Sequence, residues 1–277
     1  MKERVDQLLV KRGLYESREK AQRAIMAGLV YSENVRMDKP GTKIDSESPL
    51  RIKGDPLPYV GRGGLKLEKA LKVFDFDVKD KVMLDIGAST GGFTDCALQN
   101  GARLVYALDV GFNQLAWKLR NDNRVVVMER TNFRHSQPDA FHEGLPDVAT
   151  IDVSFISLRL MLPPLHDILK DEGEVVALIK PQFEAGREDV GKKGIVRDPA
   201  VHKRVIEEVL TFAKNVGFDC LALDFSPITG GDGNIEFLAH LKNRKTSVAE
   251  QQVSLDTVQK VVASAHLQLK KGHQEEP

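Results

Sequence analysis

The sequence predicts an α/β protein with a mostly parallel seven-stranded sheet, preceded by a small α+β domain. From Val82 onward, short apolar runs alternate with helical stretches, which is the pattern of a parallel sheet covered on both faces. A glycine-rich turn at residues 87–92 follows the first of these runs. Charge marks the smaller domain: residues 1–72 hold 16 Lys+Arg and 10 Asp+Glu, whereas the whole chain of 277 residues has 40 of each.

The chain divides into four predicted segments. A small domain covers residues 1–52. Residues 53–60 contain two prolines and one glycine, and they form a linker that makes few contacts. The large domain covers residues 61–245, and residues 246–277 form a carboxyl-terminal helix with one apolar stripe and a flexible tail.

The small domain is predicted to contain two short helices and a hairpin sheet. Apolar residues at helical spacing predict helices over residues 4–12 and 18–27, which end at Gly13 and Gly28. Three short strands are predicted at residues 29–31, 35–37 and 49–52.

Cations are concentrated on these two helices. Lysine and arginine attract phosphates without reading sequence, although a solvated helix surface is the alternative for any lone charge run. The order of elements, from Arg4-Val5-Asp6 through Ser17-Arg18 to Lys39-Pro40-Gly41, resembles the RNA-binding module of ribosomal protein S-four and pseudouridine synthases. The chain departs from that module at the hairpin, where Asn34-Val35 replaces the usual Asn-Gly. With Arg62 and the glycine-rich loop 183–200 added, the predicted RNA-binding residues are Arg4, Arg18, Lys20, Arg23, Arg62, Arg187, Lys192 and Lys193.

The large domain is predicted to contain seven strands with helices between them. The strands are at residues 82–86, 104–108, 125–128, 148–151, 175–179, 221–225 and 235–241. The helices are at residues 63–74, 93–100, 114–120, 158–170 and 201–215. This alternation brings the carboxyl ends of the parallel strands, where ligands bind in such sheets, to one edge.

The turn after the first strand reads Asp85-x-Gly87-x-x-x-Gly91-Gly92. Its spacing is neither the dinucleotide pattern G-x-G-x-x-G nor that of a phosphate loop, which ends in G-K-[ST]. It resembles the S-adenosylmethionine turn of class I (Rossmann-like) methyltransferases. By the same analogy Asp109 would hold the ribose hydroxyls and Asn132 the adenine, while helix capping is the alternative for Asp109. The predicted donor-binding residues are Asp85, Gly87, Ala88, Ser89, Gly91, Gly92, Phe93, Asp109 and Asn132.

Four charged residues indicate a reaction. Asp152 follows the fourth strand, Lys180 follows the fifth, Glu236 begins the last, and Lys66 lies on the helix before the first. Charges at strand ends project into the ligand crevice, although a solvated surface charge is the alternative for Lys66 and Glu236 taken singly. These positions match the catalytic Lys-Asp-Lys-Glu tetrad of FtsJ-type 2′-O-ribose methyltransferases.

Together with the amino-terminal module, the arrangement resembles the TlyA family, once called hemolysins. The resemblance covers about residues 1–245, and its most specific strings are Asp152–Ser157 and Lys180–Glu184. It implies methylation of a cytidine ribose 2′-hydroxyl in ribosomal RNA, with S-adenosylmethionine as the methyl donor and the ribosomal subunit as partner.

The chemistry of that reaction needs these residue types. A 2′-hydroxyl is a poor nucleophile until a general base within hydrogen-bonding reach removes its proton. Lys180 is the candidate base, because burial and a second cation such as Lys66 would favour its neutral form. Asp152 would oppose that shift while orienting the ammonium group, and Glu236 would position Lys66 or the ribose.

Several other classes are not indicated. The first residues lack an apolar signal segment and no apolar run approaches the ~20 residues that span a bilayer, so we expect a cytoplasmic protein without a membrane partner. Two cysteines and seven scattered histidines predict neither a disulfide scaffold nor a metal site. As to oligomeric state, we expect a monomer. Methylation of another RNA site, a non-catalytic RNA-binding or ribosome-assembly role, and membrane lysis remain as alternatives.

Overall fold

The computed structural model describes residues 2–15, 17–26, 28–33, 35–53, 57–230, 233–247 and 253–271. The chain forms two compact units, Met1–Gly64 and Leu65–Pro277. The predicted hairpin residue Asn34, the middle of the predicted linker and the predicted tail after residue 271 lie outside the described residues.

The first unit is a small α+β domain. Its helices are α1 (Val5–Lys11) and α2 (Arg18–Met26), and Gly13 and Gly28 have the positive φ angles that suit their predicted role as helix stops. Its strands are β1 (Lys2–Arg4), β2 (Val30–Ser32), β3 (Val35–Arg36), β4 (Lys43–Asp45) and β5 (Leu50–Ile52). Strands β3, β2 and β5 form one antiparallel sheet, while β1 and β4 form a second pair. Apolar residues of both helices and β2 form the core.

The second unit is a layered α/β domain. Its strands are β6 (Val82–Ile86), β7 (Leu104–Leu108), β8 (Val125–Met128), β9 (Val148–Ile151), β10 (Glu174–Ile179), β11 (Phe218–Phe225) and β12 (Phe237–Asn243). Its helices are α3 (Gly64–Val73), α4 (Gly92–Gln99), α5 (Trp117–Arg120), α6 (Leu162–Ile168), α7 (Pro181–Glu184), α8 (Pro199–Val216) and α9 (Leu255–Lys271).

The sheet order is β11-β12-β10-β9-β6-β7-β8. Strand β12 is antiparallel to both of its neighbours and the other pairings are parallel, so the predicted mostly parallel seven-stranded sheet is confirmed. The carboxyl ends of β6, β7, β8, β9 and β10 meet at one edge, which is where the site is built.

Two predicted helices are shorter than expected, each for a local reason. The helix predicted over 158–170 is a 3-10 turn at Leu158–Leu160 followed by α6, because Pro163 and Pro164 lack N–H groups and fit only a first helical turn. The helix predicted over 114–120 begins only at Trp117. The N–H groups of Asn113, Gln114 and Leu115 instead donate to the Glu129 carboxylate.

Four details of the prediction were incomplete or wrong. Strands β1 and β4 were not predicted, because Lys2–Arg4 and Lys43–Asp45 are polar and only three residues long. Helix α7 was not predicted, and its last two residues fall within the predicted loop 183–200. Glu236, placed by the sequence at the start of the last strand, lies one residue before β12.

Candidate active site

The glycine-rich turn owes its shape to two left-handed glycines. Gly87 has φ +87°, and a Cβ built on it would lie 2.5 Å from the backbone oxygen of Asp152. Gly91 has φ +96°, and its Cβ would lie 2.2 Å from Leu119. Any other residue at either position would be strained and would push the turn away from β9 or from α5. Gly87 therefore lets this turn pack directly against the end of β9, and Gly91 lets it pack against α5.

Asp85 connects the glycine-rich turn to neighbouring elements through hydrogen bonds. Its fully buried carboxylate accepts hydrogen bonds from the Thr94 hydroxyl at 2.7 Å and the Thr150 hydroxyl at 3.0 Å. Burial raises the pKa of Asp85 to about 6, which the two hydrogen bonds partly oppose. Because Asp85 lies on β6, Thr94 on α4 and Thr150 on β9, this carboxylate joins three elements beneath the turn.

Asp109 lies at the carboxyl end of β7 and holds two backbone groups. Its Oδ2 accepts from the Ser89 N–H at 2.8 Å and its Oδ1 from the Gly111 N–H at 2.7 Å. Each carboxylate oxygen keeps a further lone pair, so both can still accept a ligand hydroxyl. Asp109 thus fixes the glycine-rich turn and also offers acceptors at the strand end.

A cavity of about 530 Å³ opens at these strand ends. Of the predicted donor-binding residues, Gly87, Ser89, Asp109 and Asn132 line it, while Asp85, Ala88, Gly91, Gly92 and Phe93 are not among its lining residues. Lining residues that were not predicted to bind the donor are Ile86, Leu108, Val110, Gln114, Thr131, Phe133, Arg134, Val153, Ser154, Phe155, Ile156 and Met161. Apolar walls with a few convergent polar groups are typical of a cofactor site, and the volume suits a nucleoside-containing ligand.

Asn132 combines two roles at the rim of this cavity. Its side-chain oxygen accepts from the backbone N–H and the Nε of Arg134, both at 3.3 Å, and so caps the 3-10 turn Phe133–His135. It also lines the cavity, where its amide group suits a polar ligand edge.

The four charged residues singled out by the sequence meet beside this cavity. The Lys66 Nζ lies 2.7 Å from Glu236 Oε2 and 3.0 Å from Asp152 Oδ2. The Lys180 Nζ lies 2.5 Å from Asp152 Oδ1, in an ion pair without good hydrogen-bond alignment, and 4.0 Å from Glu236. All four side chains are largely buried, and Asp152 also lines the cavity. Residues far apart in the chain therefore form one compact group of two cations and two anions.

The two lysines differ in their surroundings. Burial opposes the charged form of Lys66, but the attraction of Asp152 and Glu236 outweighs it and raises the pKa of Lys66. Burial likewise opposes the charge of Asp152, and the two lysine cations outweigh it and lower the pKa of Asp152. Lys180 has one close carboxylate, and its Nζ also lies 3.3 Å from the hydroxyl of Ser154, which lines the cavity. Lys66 is therefore held as a cation between two carboxylates. Lys180 lies on the side of the site that faces the cavity.

The two most specific strings of the sequence are bonded to each other. Glu184 accepts from the Ser157 hydroxyl at 2.6 Å and from the Leu158 N–H at 2.7 Å, and burial raises its pKa. The rings of Phe155 and Phe183 lie 5.0 Å apart, with Phe155 exposed and left-handed (φ +62°). The segments after β9 and β10 thus hold each other in place around Asp152 and Lys180.

Asn234 connects the turn before Glu236 to the loop after α7. Its side chain accepts from the Val196 N–H at 3.1 Å and donates to the Gly194 carbonyl at 2.9 Å. Arg187 and Lys193 on this loop are exposed, and the loop contains two short 3-10 turns. The backbone of Lys192 belongs to the same loop.

The predicted RNA-binding arginines of the first unit are organised by Asp6, which the sequence did not single out. Its buried carboxylate accepts from Arg4 at 2.9 and 3.0 Å, from Arg18 at 2.8 Å and from Gln22 at 2.8 Å. The hydrogen bond from Arg4, followed by those from Gln22 and Arg18, outweighs burial and lowers the pKa of Asp6. Both arginine side chains remain partly exposed.

The remaining predicted RNA-binding cations have separate positions. Lys20 is exposed and Arg23 is half-buried on α2, and Arg62 is exposed before α3. Arg12, in contrast, donates to the carbonyls of Ser46 and Ser48, so it holds a turn.

The described part of the chain contains neither a metal-binding cluster nor a membrane-spanning helix. No group of three or more His, Cys, Asp or Glu residues there is arranged to hold a metal ion. Among those same residues, no helix has both the length and the apolar character needed to cross a membrane.

Two family models match the chain. The FtsJ-like methyltransferase model matches residues 59–243, and the S4 domain model matches residues 3–48. The first contains the cavity and the four charged residues, and the second contains Asp6 and its arginines.

Full-length relatives combine the same two parts. YqxC of Bacillus subtilis strain 168, described as a candidate rRNA methyltransferase, is 62% identical over 276 residues, covering 100% of this chain and 98% of YqxC. The 16S/23S rRNA (cytidine-2′-O)-methyltransferase TlyA of Mycobacterium tuberculosis is 40% identical over 94% of this chain and 97% of TlyA. A solved structure from Streptococcus thermophilus, described as a candidate hemolysin, is 58% identical, covers 99% of both chains and has a TM-score of 0.80. The chain therefore belongs to the TlyA family of FtsJ-like, S-adenosylmethionine-dependent methyltransferases.

Proposed function

We propose that this enzyme methylates the 2′-hydroxyl of a cytidine ribose in ribosomal RNA. The observation that carries the proposal is the direct contact of Lys66, Asp152, Lys180 and Glu236 beside the cavity at the strand ends. The name of the 40% identical TlyA supports the substrate. Ribosomal RNA as substrate also implies that the protein acts in the cytoplasm, and we expect it to act as a monomer.

The cavity is the site for the methyl donor. S-adenosylmethionine supplies an electrophilic methyl group on a sulfonium centre, which needs little activation. Asp109 offers acceptors for ribose hydroxyls, and Asn132 offers its amide to the base edge. The walls formed by Leu108 and Phe133 exclude water from the apolar part of the ligand.

Lys180 is the proposed general base. Its Nζ stands beside Asp152 and Ser154, which both line the cavity, so a ribose hydroxyl bound there comes within its reach. In its neutral form this Nζ would accept the hydroxyl proton as the ribose oxygen bonds to the methyl carbon, and the bond from that carbon to the donor sulfur would break to leave a neutral thioether. Asp152 then pairs with the ammonium group that results.

Lys66 and Glu236 have a positioning role. Lys66 bridges the two carboxylates and remains a cation, because both anions lie within 3.0 Å of its Nζ. Its positive charge repels a charged Lys180 and so offsets part of the attraction between Asp152 and Lys180. Glu236 fixes Lys66 at the shorter distance of 2.7 Å.

Substrate RNA is held by cations on both units. Arg4, Arg18, Lys20 and Arg23 on the first unit contact phosphates, and Arg62 adds to them. Arg187, Lys192 and Lys193 on the loop after α7 hold RNA phosphates near the reacting ribose.

The test is methyl transfer by purified protein to ribosomal subunits that lack the modification, with ribose methylation mapped by nucleotide position. We expect a 2′-O-methylcytidine to appear. Lys180→Ala should lower the rate by at least about 100-fold, the usual contribution of a general base, with donor affinity by calorimetry within about threefold.

Lys203→Ala is the matched control, because Lys203 lies on α8 in a surface ion pair with Glu207 and should transfer methyl groups normally. Normal turnover by Lys180→Ala would refute the assignment of the base. A methyl group found on the nucleobase would refute the proposed reaction, and donor binding without any transfer would favour a non-catalytic assembly role.

A further inference from the structure

Two large aromatic side chains project into solvent from the segment after β7. Phe112 is 62% exposed and Trp117, the single tryptophan of the chain, is 78% exposed. Side chains of this size usually bury most of their surface in a core or an interface. Neither residue belongs to the donor cavity or to the four charged residues of the site.

The structure holds this segment firmly in place. The Glu129 carboxylate accepts the N–H groups of Asn113, Gln114 and Leu115, and the Thr90 carbonyl accepts that of Ala116. These bonds fix the backbone of residues 113–116, which lie between Phe112 and Trp117 in the sequence. The two rings are therefore carried by a rigid segment.

Backbone strain accompanies that support. Asn113 has φ +58° and Arg130 has φ +54°, both in the left-handed region that is unfavourable for residues with a side chain. Such strain persists only where surrounding bonds over-determine it, and the bond from the Arg130 N–H to the Gly111 carbonyl at 2.9 Å is one of them.

The stretch of sequence that carries the two rings is rich in cations. The Arg130 guanidinium lies 4.0 Å from the centre of the Phe112 ring. Residues 110–134 contain five Lys or Arg and two Asp or Glu, whereas residues 73–277 as a whole contain 24 and 30. Both anions of the stretch are engaged, Asp122 with Arg124 and Glu129 with Arg120. Lys118 pairs in turn with Asp95, so Arg130 and Arg134 are the cations of this stretch that have no ion pair among the described residues, and Arg130 is the one that lies on a ring.

Exposed aromatic rings stacked with arginine are the means by which proteins hold unpaired RNA bases. We propose that Phe112, Trp117 and Arg130 form a stacking platform for an unpaired nucleotide of the substrate RNA. The segment that carries the platform borders the donor cavity, because Gln114 in the same segment and Arg134 in the same basic stretch both line it. This inference rests on the proposed RNA substrate and adds to it a second RNA contact, on the catalytic domain itself.

The single tryptophan makes the platform directly measurable. Titration of the full-length protein with a nonameric oligocytidylate should quench Trp117 fluorescence, and the same RNA paired to its complement should quench far less. Phe112→Ala and Arg130→Ala should each weaken the binding of the single strand by about tenfold, within the range for one base–aromatic stack.

Matched variants separate stacking from general charge. Phe112→Tyr retains a ring and should bind within about twofold of the wild type. Arg124→Ala removes a cation of the same stretch that pairs with Asp122 instead of a ring, and it should change affinity by less than about threefold. Donor affinity by calorimetry should be unchanged in every variant, which shows that the fold is intact.

Unchanged RNA affinity in Phe112→Ala would overturn the platform, as would equal quenching by single-stranded and duplex RNA. If the wild type bound RNA-free ribosomal proteins and Phe112→Ala did not, these residues would contact a protein partner. That result would also overturn the platform. The binding readout needs no methyl transfer. Quenching without methylation would therefore refute the proposed function alone, and methylation without an effect of Phe112→Ala would refute the platform alone.

Discussion

The difference between the two lysines of the site comes from how many carboxylates each one touches. Lys66 bridges Asp152 and Glu236 within 3.0 Å, while Lys180 closely contacts Asp152 alone and stands on the cavity side beside Ser154. A base needs an accessible lone pair, whereas a positioning cation needs a permanent charge. The arrangement therefore fits the proposed roles, with Lys180 as the base and Lys66 as the positioning cation.

At the residue scale, Arg4 and Arg23 should behave differently when each is replaced by alanine. Arg4 supports the buried Asp6 carboxylate, so its loss should reduce both RNA affinity and the protection of α1 from hydrogen exchange. Arg23 makes no ion pair with a described residue, so Arg23→Ala should reduce RNA affinity by a few-fold and leave that protection unchanged. Equal loss of protection in both variants would contradict the distinction.

Some residues of the candidate sites could be predicted from the sequence and others could not. The strand-end positions of Asp152 and Lys180 were visible in the sequence, because each follows an apolar run. Asp6 was not visible as an organising residue. Its importance arises from Arg18 and Gln22 coming from another helix, and no local pattern records that meeting.

At the element scale, Asp85 connects β6, α4 and β9 with one carboxylate. Its pKa of about 6 in the folded chain exceeds the ordinary value of 3.8. As pH rises from about 4 to 6, the unfolded chain releases this proton first, so the contribution of Asp85 to stability is lost over that interval.

Asp85→Asn should remove this pH dependence. The difference in unfolding free energy between Asp85→Asn and the wild type should shift in favour of the variant by about 2 kcal/mol between pH 4 and pH 7, as measured by urea denaturation. Asp122→Asn is the control with the opposite sign, because its pairing with Arg124 lowers the pKa of Asp122. A pH-independent difference for Asp85→Asn would contradict the assignment.

The elements that departed from prediction did so because of long-range partners or local breakers. Helix α5 is short because Glu129, which follows β8, takes the N–H groups that would have begun it. Helix α6 begins late because of a proline pair that the sequence displays openly. The late start of α6 could have been predicted from the sequence, whereas the short length of α5 could not.

At the scale of the whole molecule, the balance of 40 cations and 40 anions conceals a division of charge. Residues 1–72 carry six more cations than anions, and the rest carries six fewer. RNA affinity should therefore fall steeply with salt, with a log–log slope of about −2 or steeper, while donor affinity changes less than about twofold between 50 and 200 mM salt. Filter binding and calorimetry at matched salt concentrations measure the two, and a flat RNA response would contradict an electrostatic docking role.

The sequence by itself determined the fold class, the strand order along the chain and the residue types at the strand ends, because hydrophobic periodicity and glycine spacing are local properties. Only the tertiary structure decided which lysine is paired with both carboxylates, which predicted residues line the cavity and which cations are held by Asp6. Those features depend on distances between residues far apart in the chain, such as the 2.7 Å between Lys66 and Glu236. Such distances are set by how the strands pack into one sheet, and a one-dimensional pattern does not contain them.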